Sequence, residues 1–271
     1  MIEQARAKLN LALHVTGRRA DGYHLLDSLV AFAETGDRVS LQPGPLSLSL
    51  DGQFAPDLDT CDDNLCLRAA RLIGGRASIR LTKNLPVASG IGGGSADAAA
   101  VLRAFSRQGL CMPENPEQLG ADVPVCLAGH PARMRGIGDV LDPVPPIPPL
   151  PLVLVNPGMA LSTPQVFGGL ARRDNPNLTP PDWTDAEGLL IYLSTCRNDL
   201  QASAQALVPQ IGAVLGALRA GGARLARMSG SGATCFGLFD SSAAAASAAI
   251  DLTRRGWWAV ASELAQPATP R

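Results

Sequence analysis

The run Pro86-Val87-Ala88-Ser89-Gly90-Ile91-Gly92-Gly93-Gly94-Ser95 carries the plainest chemistry in this sequence. Its glycines let the backbone come close to a ligand and turn N–H groups toward it. The Ser-Ala-Asp-Ala-Ala-Ala stretch from Ser95 is helix-forming, so the loop feeds a helix N-terminus. That end offers unpaired N–H donors and the positive pole of the helix dipole, and both suit a phosphate. The plain alternative is a flexible surface loop before an ordinary helix. The density of glycine and the unbroken join to the helix favour a phosphate cradle.

Two familiar phosphate loops fit less well. A P-loop needs Lys just before its Ser/Thr, and Gly94 precedes Ser95 here. The dinucleotide fingerprint needs a glycine at its sixth place, where Ser95 stands. A second glycine loop, Met228-Ser229-Gly230-Ser231-Gly232-Ala233, lies between two predicted strands. It reads either as a hairpin turn or as a clamp over phosphates from a second domain.

Lysine is rare. Of 23 Lys+Arg, only Lys8 and Lys83 are lysine. A position that keeps Lys in such a chain calls for a compact, orientable ammonium instead of a planar fork. Lys83, just before the glycine run, is expected near the nucleotide or on the surface.

The elements that must hold these groups follow from periodicity. Ile2 to Val15 alternates, with Ala5, Ala7, Leu9, Leu11, Leu13 and Val15 on one face and Arg6, Lys8, Asn10 and His14 on the other. This predicts a half-buried strand with Lys8 and Asn10 on its polar face. Short strands follow near Asp37–Leu41 and Leu46–Leu50, and Asp63 is expected to cap a helix over Asn64–Ile73. A strand at Ala77–Thr82 leads to the glycine loop and a helix to about Gln108, stopped by Gly109. Asn115-Pro116 opens a short helix before Gly120-Ala121-Asp122-Val123-Pro124, where Asp122 reads as a helix-end cap.

Prolines crowd 143–151 and make a stiff connector, so a domain boundary is placed there, dividing the chain into 1–147 and 148–271. Beyond it come strands at Leu152–Val155, Arg224–Met228, Thr234–Phe239 and Trp257–Ser262. Helices are expected near Thr163–Leu170, Asp185–Thr195, Asp199–Leu207, Ile211–Ala220 and Ser241–Arg255. The closing Pro-Ala-Thr-Pro-Arg is expected to fray. Mixed elements in both halves indicate an α+β protein of two domains.

With 271 residues and a formal net charge of −1, the chain has no basic excess for nucleic acid. It has no apolar run long enough to span a bilayer, and Met1-Ile2-Glu3-Gln4 does not open a signal peptide, so a cytoplasmic protein is expected. The six cysteines form no C-x-x-C pair and read as buried or half-buried apolar groups, not as zinc ligands or disulfides.

Taken together, these segments resemble the GHMP kinase superfamily. Ala7-Lys8-Leu9-Asn10-Leu11, then Arg18-Arg19-Ala20-Asp21-Gly22-Tyr23-His24, is similar to the family's opening; the run from Pro86 is its second motif. Gly120-Ala121-Asp122-Val123-Pro124, Gly136-Ile137-Gly138-Asp139, Thr163-Pro164-x-x-Phe167, Asn198-Asp199-Leu200 and Ser229-Gly230-Ser231-Gly232 follow in order. They point to the branch whose alcohol is 4-(cytidine 5′-diphospho)-2-C-methyl-D-erythritol, in the non-mevalonate isoprenoid route. The resemblance implies an N-terminal ribosomal-protein-S5-domain-2-like α/β domain, a C-terminal ferredoxin-like α+β domain and an active site in the cleft between them.

It also implies ATP with Mg²⁺, small-molecule partners only, and a monomer or weak homodimer. By that resemblance Asp122 is the catalytic base and Lys8 its cationic partner, and Asn10 holds substrate hydroxyls. Tyr23, His24 and Phe167 read the cytidine, Tyr23 and Phe167 as an aromatic sandwich and His24 at the polar edge. Pro86, Val87, Ala88, Ser89, Gly90, Ile91, Gly92, Gly93, Gly94 and Ser95 take the ATP phosphates, Ser95 lies near Mg²⁺, and Asn64 and Leu65 line the adenine pocket. The chain departs from the family in a short 109–119 stretch and in Val87-Ala88-Ser89, where more glycine is usual. A homoserine- or mevalonate-type kinase, a decarboxylase of the same fold, and a non-catalytic nucleotide sensor are the rival readings.

Overall fold

The computed structural model describes residues 1–266, so the expected frayed tail lies outside the described residues. In chain order the first elements are strands β1 (Ile2–Arg18), β2 (His24–Gln42) and β3 (Ser47–Asp51), helix α1 (Leu65–Leu72), β4 (Ser78–Thr82), α2 (Gly93–Ser106) and α3 (Val123–Ala128). Then come β5 (Ala132–Gly136), β6 (Val140–Asp142), β7 (Pro151–Asn156), α4 (Thr163–Gly168), α5 (Ala186–Thr195), α6 (Gln201–Leu207) and α7 (Gln210–Ala220). The chain closes with β8 (Leu225–Met228), β9 (Cys235–Leu238), α8 (Ser242–Arg254) and β10 (Trp258–Glu263).

These elements form two compact units: Met1–Lys8 with Thr35–Ala88 and Gly92–Gly129, and Leu9–Glu34 with Ser89–Ile91 and His130 onward. This interleaved grouping differs from the single division expected at 147/148 because β1 and β2 each run through both units. The proline-rich segment lies within the second unit, where Ile147 and Leu150 are buried and the Trp183 indole N–H donates to the Pro146 carbonyl at 3.0 Å.

In the first unit, β4 pairs antiparallel with residues 38–42 of β2 and parallel with β3. Helix α2 packs against α1 and α3, burying Val101, Leu102 and Phe105. The α1 cap falls on Asn64 instead of Asp63: the Asn64 Oδ1 accepts the Cys66 N–H at 3.0 Å while its Nδ2 reaches the Asp59 carbonyl, so the Asn turn ends one residue later.

In the second unit, residues 26–30 of β2 pair with β5, and β5 pairs with β6. Sequence reading missed these two strands and the first half of β2. Arg133 on β5 accounts for part of this. Its guanidinium meets the buried Asp27 carboxylate at 2.8 and 2.6 Å, so a charged position faces inward. The antiparallel sheet β10-β7-β9-β8 carries α7 and α8, and Val153, Val155, Val214, Leu218, Cys235 and Leu252 share its core.

The strand expected to be half-buried is buried on its polar face as well. Lys8, Asn10 and His14 are buried beside the apolar face of Ala7, Leu9 and Leu11. Each polar group there finds a partner, which is what allows both faces to leave water. Two cysteines also depart from expectation, since Cys61 and Cys111 are exposed and the other four are buried. All six are free, and no group of three metal-ligating side chains occurs among the described residues.

Candidate active site

The glycine run links β4 to α2 as its composition requires. Gly92 stands at the α2 cap position with φ +63°, a conformation open to glycine, and supplies no side chain to fill the cap. No acidic residue lies in the first turn of the helix. The amino end of α2 therefore keeps its donors and its positive pole toward an anion. Ala88 sits at φ +48°, in the left-handed region where a Cβ is strained.

Lys8 and Asp122 meet at this helix end. The Lys8 Nζ lies 2.9 Å from the Asp122 Oδ2, with the lysine side chain 4% exposed and the aspartate side chain 32% exposed. Asp122 occupies the position ahead of α3, yet its side chain makes no capping hydrogen bond. The ion pair, not the cap, holds the carboxylate. A Cβ built on Gly92 would stand 3.2 Å from the Lys8 Cβ and Cε and 3.8 Å from the Asp122 Oδ2. The pair thus packs directly against the cap of α2. A buried ammonium beside a partly exposed carboxylate can steady negative charge while the carboxylate accepts a proton.

Asn10 is buried two residues on. Its Nδ2 donates to the Ser28 Oγ at 2.8 Å, and its backbone N–H donates to the Ser229 Oγ at 3.1 Å. The Ser229 hydroxyl in turn donates to the Gly90 carbonyl at 3.1 Å, and the Thr234 N–H donates to the Ser89 carbonyl. The second glycine loop is a hairpin turn between paired β8 and β9, and these bonds seat it on residues 89–90. The Asn198 Nδ2 steadies the same turn by donating to the Met228 and Gly230 carbonyls at 2.8 and 2.9 Å. That role was not visible in the sequence, where Asn198-Asp199-Leu200 was only a motif.

His24 and Phe167 stack, with ring centroids 4.6 Å apart and planes 26° from parallel, while Tyr23 is 63% exposed. The His24 face of Phe167 is therefore covered by the imidazole. The His24 Nε2 is buried without a hydrogen-bond partner. Burial, then the Arg18 and Arg173 charges, hold the imidazole below its ordinary pKa and so keep it neutral. An orphaned ring nitrogen of a neutral imidazole suits the polar edge of a base.

Leu65 borders the α2 amino end, its Cδ1 3.1 Å from where a Gly94 Cβ would stand, and Asn64 caps α1 beside it. Ser95 lies in the first turn of α2, its Oγ 3.5 Å from where a Gly120 Cβ would stand. A single hard hydroxyl oxygen fits Mg²⁺ that takes most of its ligands from phosphates and water.

Lys83 is neither on the surface nor open to a ligand. It is 2% exposed, bonded through Nζ to Asp37 and, at 2.8 Å, to Asp97. Burial pushes the Asp97 carboxyl above the ordinary carboxylate range against the pull of Lys83. Burial alone would lower the Lys83 ammonium, but the charges of Asp97 and Asp37 outweigh it and raise it. Asp37 and Asp97 gave no signal in the sequence; the scarcity of lysine was the one hint at this cluster.

The chain matches the family model of the GHMP kinases N-terminal domain over residues 64–140 and that of the GHMP kinases C terminal over residues 185–256. It is 64% identical over 267 residues to the 4-diphosphocytidyl-2-C-methyl-D-erythritol kinase of Paracoccus denitrificans, covering 97% of this chain and 96% of that one. With the kinase of the same name from Ruegeria pomeroyi it shares 54% over 266 residues, covering 94% and 95%. Among solved structures, a 4-(cytidine 5′-diphospho)-2C-methyl-D-erythritol kinase matches with a TM-score of 0.80 at 35% identity, over 98% of this chain and 100% of that chain. A homoserine kinase from Cytophaga hutchinsonii matches with a TM-score of 0.64 at 17% identity, over 98% and 94%, a likeness of fold alone.

Proposed function

The chain belongs to the GHMP kinase family, and we propose that Lys8, Asp122 and the Pro86–Ser95 loop carry its phosphoryl transfer. The reaction moves the γ-phosphoryl of ATP to the 2-hydroxyl of 4-(cytidine 5′-diphospho)-2-C-methyl-D-erythritol, in the non-mevalonate route to isoprenoid precursors. One observation supports this assignment of roles above the rest: an ammonium 2.9 Å from a carboxylate, packed on the glycine cap of a phosphate-binding helix.

The alcohol must lose its proton as its oxygen attacks the γ-phosphorus. The Asp122 carboxylate takes that proton, and the Lys8 Nζ steadies the charge that develops on the oxygens. The α2 amino end and the loop N–H groups bind the phosphates, and Asn64 and Leu65 line the adenine site. Mg²⁺, when bound with the triphosphate near Ser95, neutralises phosphate charge. Asn10 orients the substrate hydroxyls. The His24 Nε2 reads the cytosine edge, with Tyr23 and Phe167 supplying aromatic surface.

Residues 1–147 and 148–271 form the two family domains in this reading, and the protein acts in the cytoplasm as a monomer or weak homodimer. No helix among the described residues is long and apolar enough to cross a membrane.

The test is ADP release with the CDP-linked tetrol against homoserine and mevalonate. Turnover confined to the CDP-linked alcohol is expected. Turnover with homoserine or mevalonate alone would move the chain to another branch, and ATP binding with no turnover on any alcohol would make it a sensor.

A further inference from the structure

The buried side chains of Lys83, Asp37 and Asp97 bond to none of the groups assigned a role above, yet their bonds run to the segments on either side of the phosphate loop. The Asp37 Oδ1 accepts the N–H groups of Asn84 and Leu85, at 2.6 and 2.9 Å, on the two residues that lead into Pro86. The Asp37 Oδ2 takes the Lys83 ammonium. Asp97 takes the same ammonium at 2.8 Å from the buried face of α2, one turn after Gly93. A Cβ on Gly93, the first residue of α2, would stand 3.0 Å from the Lys83 Nζ. One ammonium thus fixes the chain before the loop and the helix after it.

Stability alone is a poor reason for such a cluster. Two carboxylates and an ammonium lose their water here, and apolar side chains of the same shape often serve a core as well or better. The choice of lysine is also specific in a chain that makes almost all its cations from arginine. A compact ammonium can point at two carboxylates beneath a glycine, whereas a planar guanidinium would displace Gly93 or lose one partner.

We propose that Lys83, Asp37 and Asp97 are positioning residues that set where the amino end of α2 meets the nucleotide phosphates, without touching the nucleotide. This rests on reading the loop as an ATP phosphate site. The cluster acts on nucleotide binding and leaves the Lys8–Asp122 chemistry intact, because a displaced helix end weakens phosphate contacts first. At metal sites, loss of the groups that orient the ligands costs about 10- to 100-fold in affinity or activity, and the lower end of that scale is taken for this phosphate site.

The experiment compares the unmodified enzyme with Lys83→Arg, which keeps the charge, and Asp97→Asn, which keeps the shape and the Lys83–Asp37 pair. Circular dichroism melts establish folding, calorimetric titration gives the Kd for ATP, and steady-state assays give KM for each substrate and kcat. The expected result is an ATP Kd and KM raised by about tenfold or more. The KM for the alcohol is expected to stay unchanged and kcat to stay within about threefold in both variants. Folded variants with unchanged ATP affinity would overturn the proposal. So would a parallel fall in every parameter, or failure of both variants to fold, since either makes the cluster a general fold element. If the unmodified enzyme itself bound no ATP, the reading of the loop would fail instead, and the two failures are told apart by that control.

Discussion

Replacing Asp122 by Asn separates chemistry from binding and from stability, and the structure sets a magnitude for each. The charge lost sits 2.9 Å from the Lys8 Nζ, with Lys8 buried and Asp122 about one-third exposed. Coulomb's law at that distance gives about 1.4 kcal/mol in a water-like dielectric and about 6 kcal/mol at an effective dielectric of 20. The exposed side of the carboxylate and the desolvation of Lys8 both reduce the net value. Surface pairs are worth about 0–1 kcal/mol, and breaking a fully buried pair costs about 3–5 kcal/mol. Asn keeps the shape and an accepting oxygen, so a net loss of about 1–2 kcal/mol is expected, near 3–6 °C in Tm.

A domain protein with roughly 5–15 kcal/mol of stability stays almost wholly folded after that loss. Unfolding therefore cannot account for a large fall in activity. Removing a general base costs about 10²- to 10⁴-fold in kcat. ATP affinity is expected to stay within about threefold, because backbone N–H groups and the helix end carry the phosphate site. The assay is enzyme-coupled ADP release under saturating substrates, with calorimetric titration of ATP and a thermal melt on the same preparation. A kcat within tenfold of the unmodified enzyme would refute the base role. So would a fall in kcat matched by an equal fall in ATP affinity.

Ala88→Gly removes a Cβ held at φ +48°. The relief of about 1–2 kcal/mol is partly offset by the freer unfolded chain, and a net gain of about 0.5–1 kcal/mol should appear as a Tm rise of a few degrees. Ser229→Ala strands the buried Asn10 N–H and removes the bond to the Gly90 carbonyl, so urea unfolding should show a loss of about 1–3 kcal/mol. His24→Ala should raise the KM for the cytidine substrate about tenfold, the value of one lost hydrogen bond, with kcat little changed. Because burial and the Arg18 and Arg173 charges lower the His24 pKa from 6.5, the ring is neutral at and above that pH. The same KM should therefore be flat there, rise as pH falls through the lowered value, and lose this limb in His24→Ala.

Local pattern carried much of this protein. The glycine run before an alanine-rich stretch specified a loop on a helix end, because both are short-range properties of backbone freedom and helix propensity. The alternation of β1, the positions of most helices and the β8–β9 turn were legible for the same reason, whereas the α1 cap fell one residue from Asp63. Local pattern also left Asp122 undecided between a cap and a paired carboxylate, since the two differ only in a partner 114 residues away in sequence. Tertiary structure decided that point through the buried ammonium of Lys8. It also turned the polar face of β1 inward, made inward-facing Arg133 compatible with a strand, and gathered Asp37 and Asp97 around Lys83. In each case a charged or polar side chain leaves water only because the fold delivers its partner from a distant segment, and no periodicity along the chain encodes that meeting.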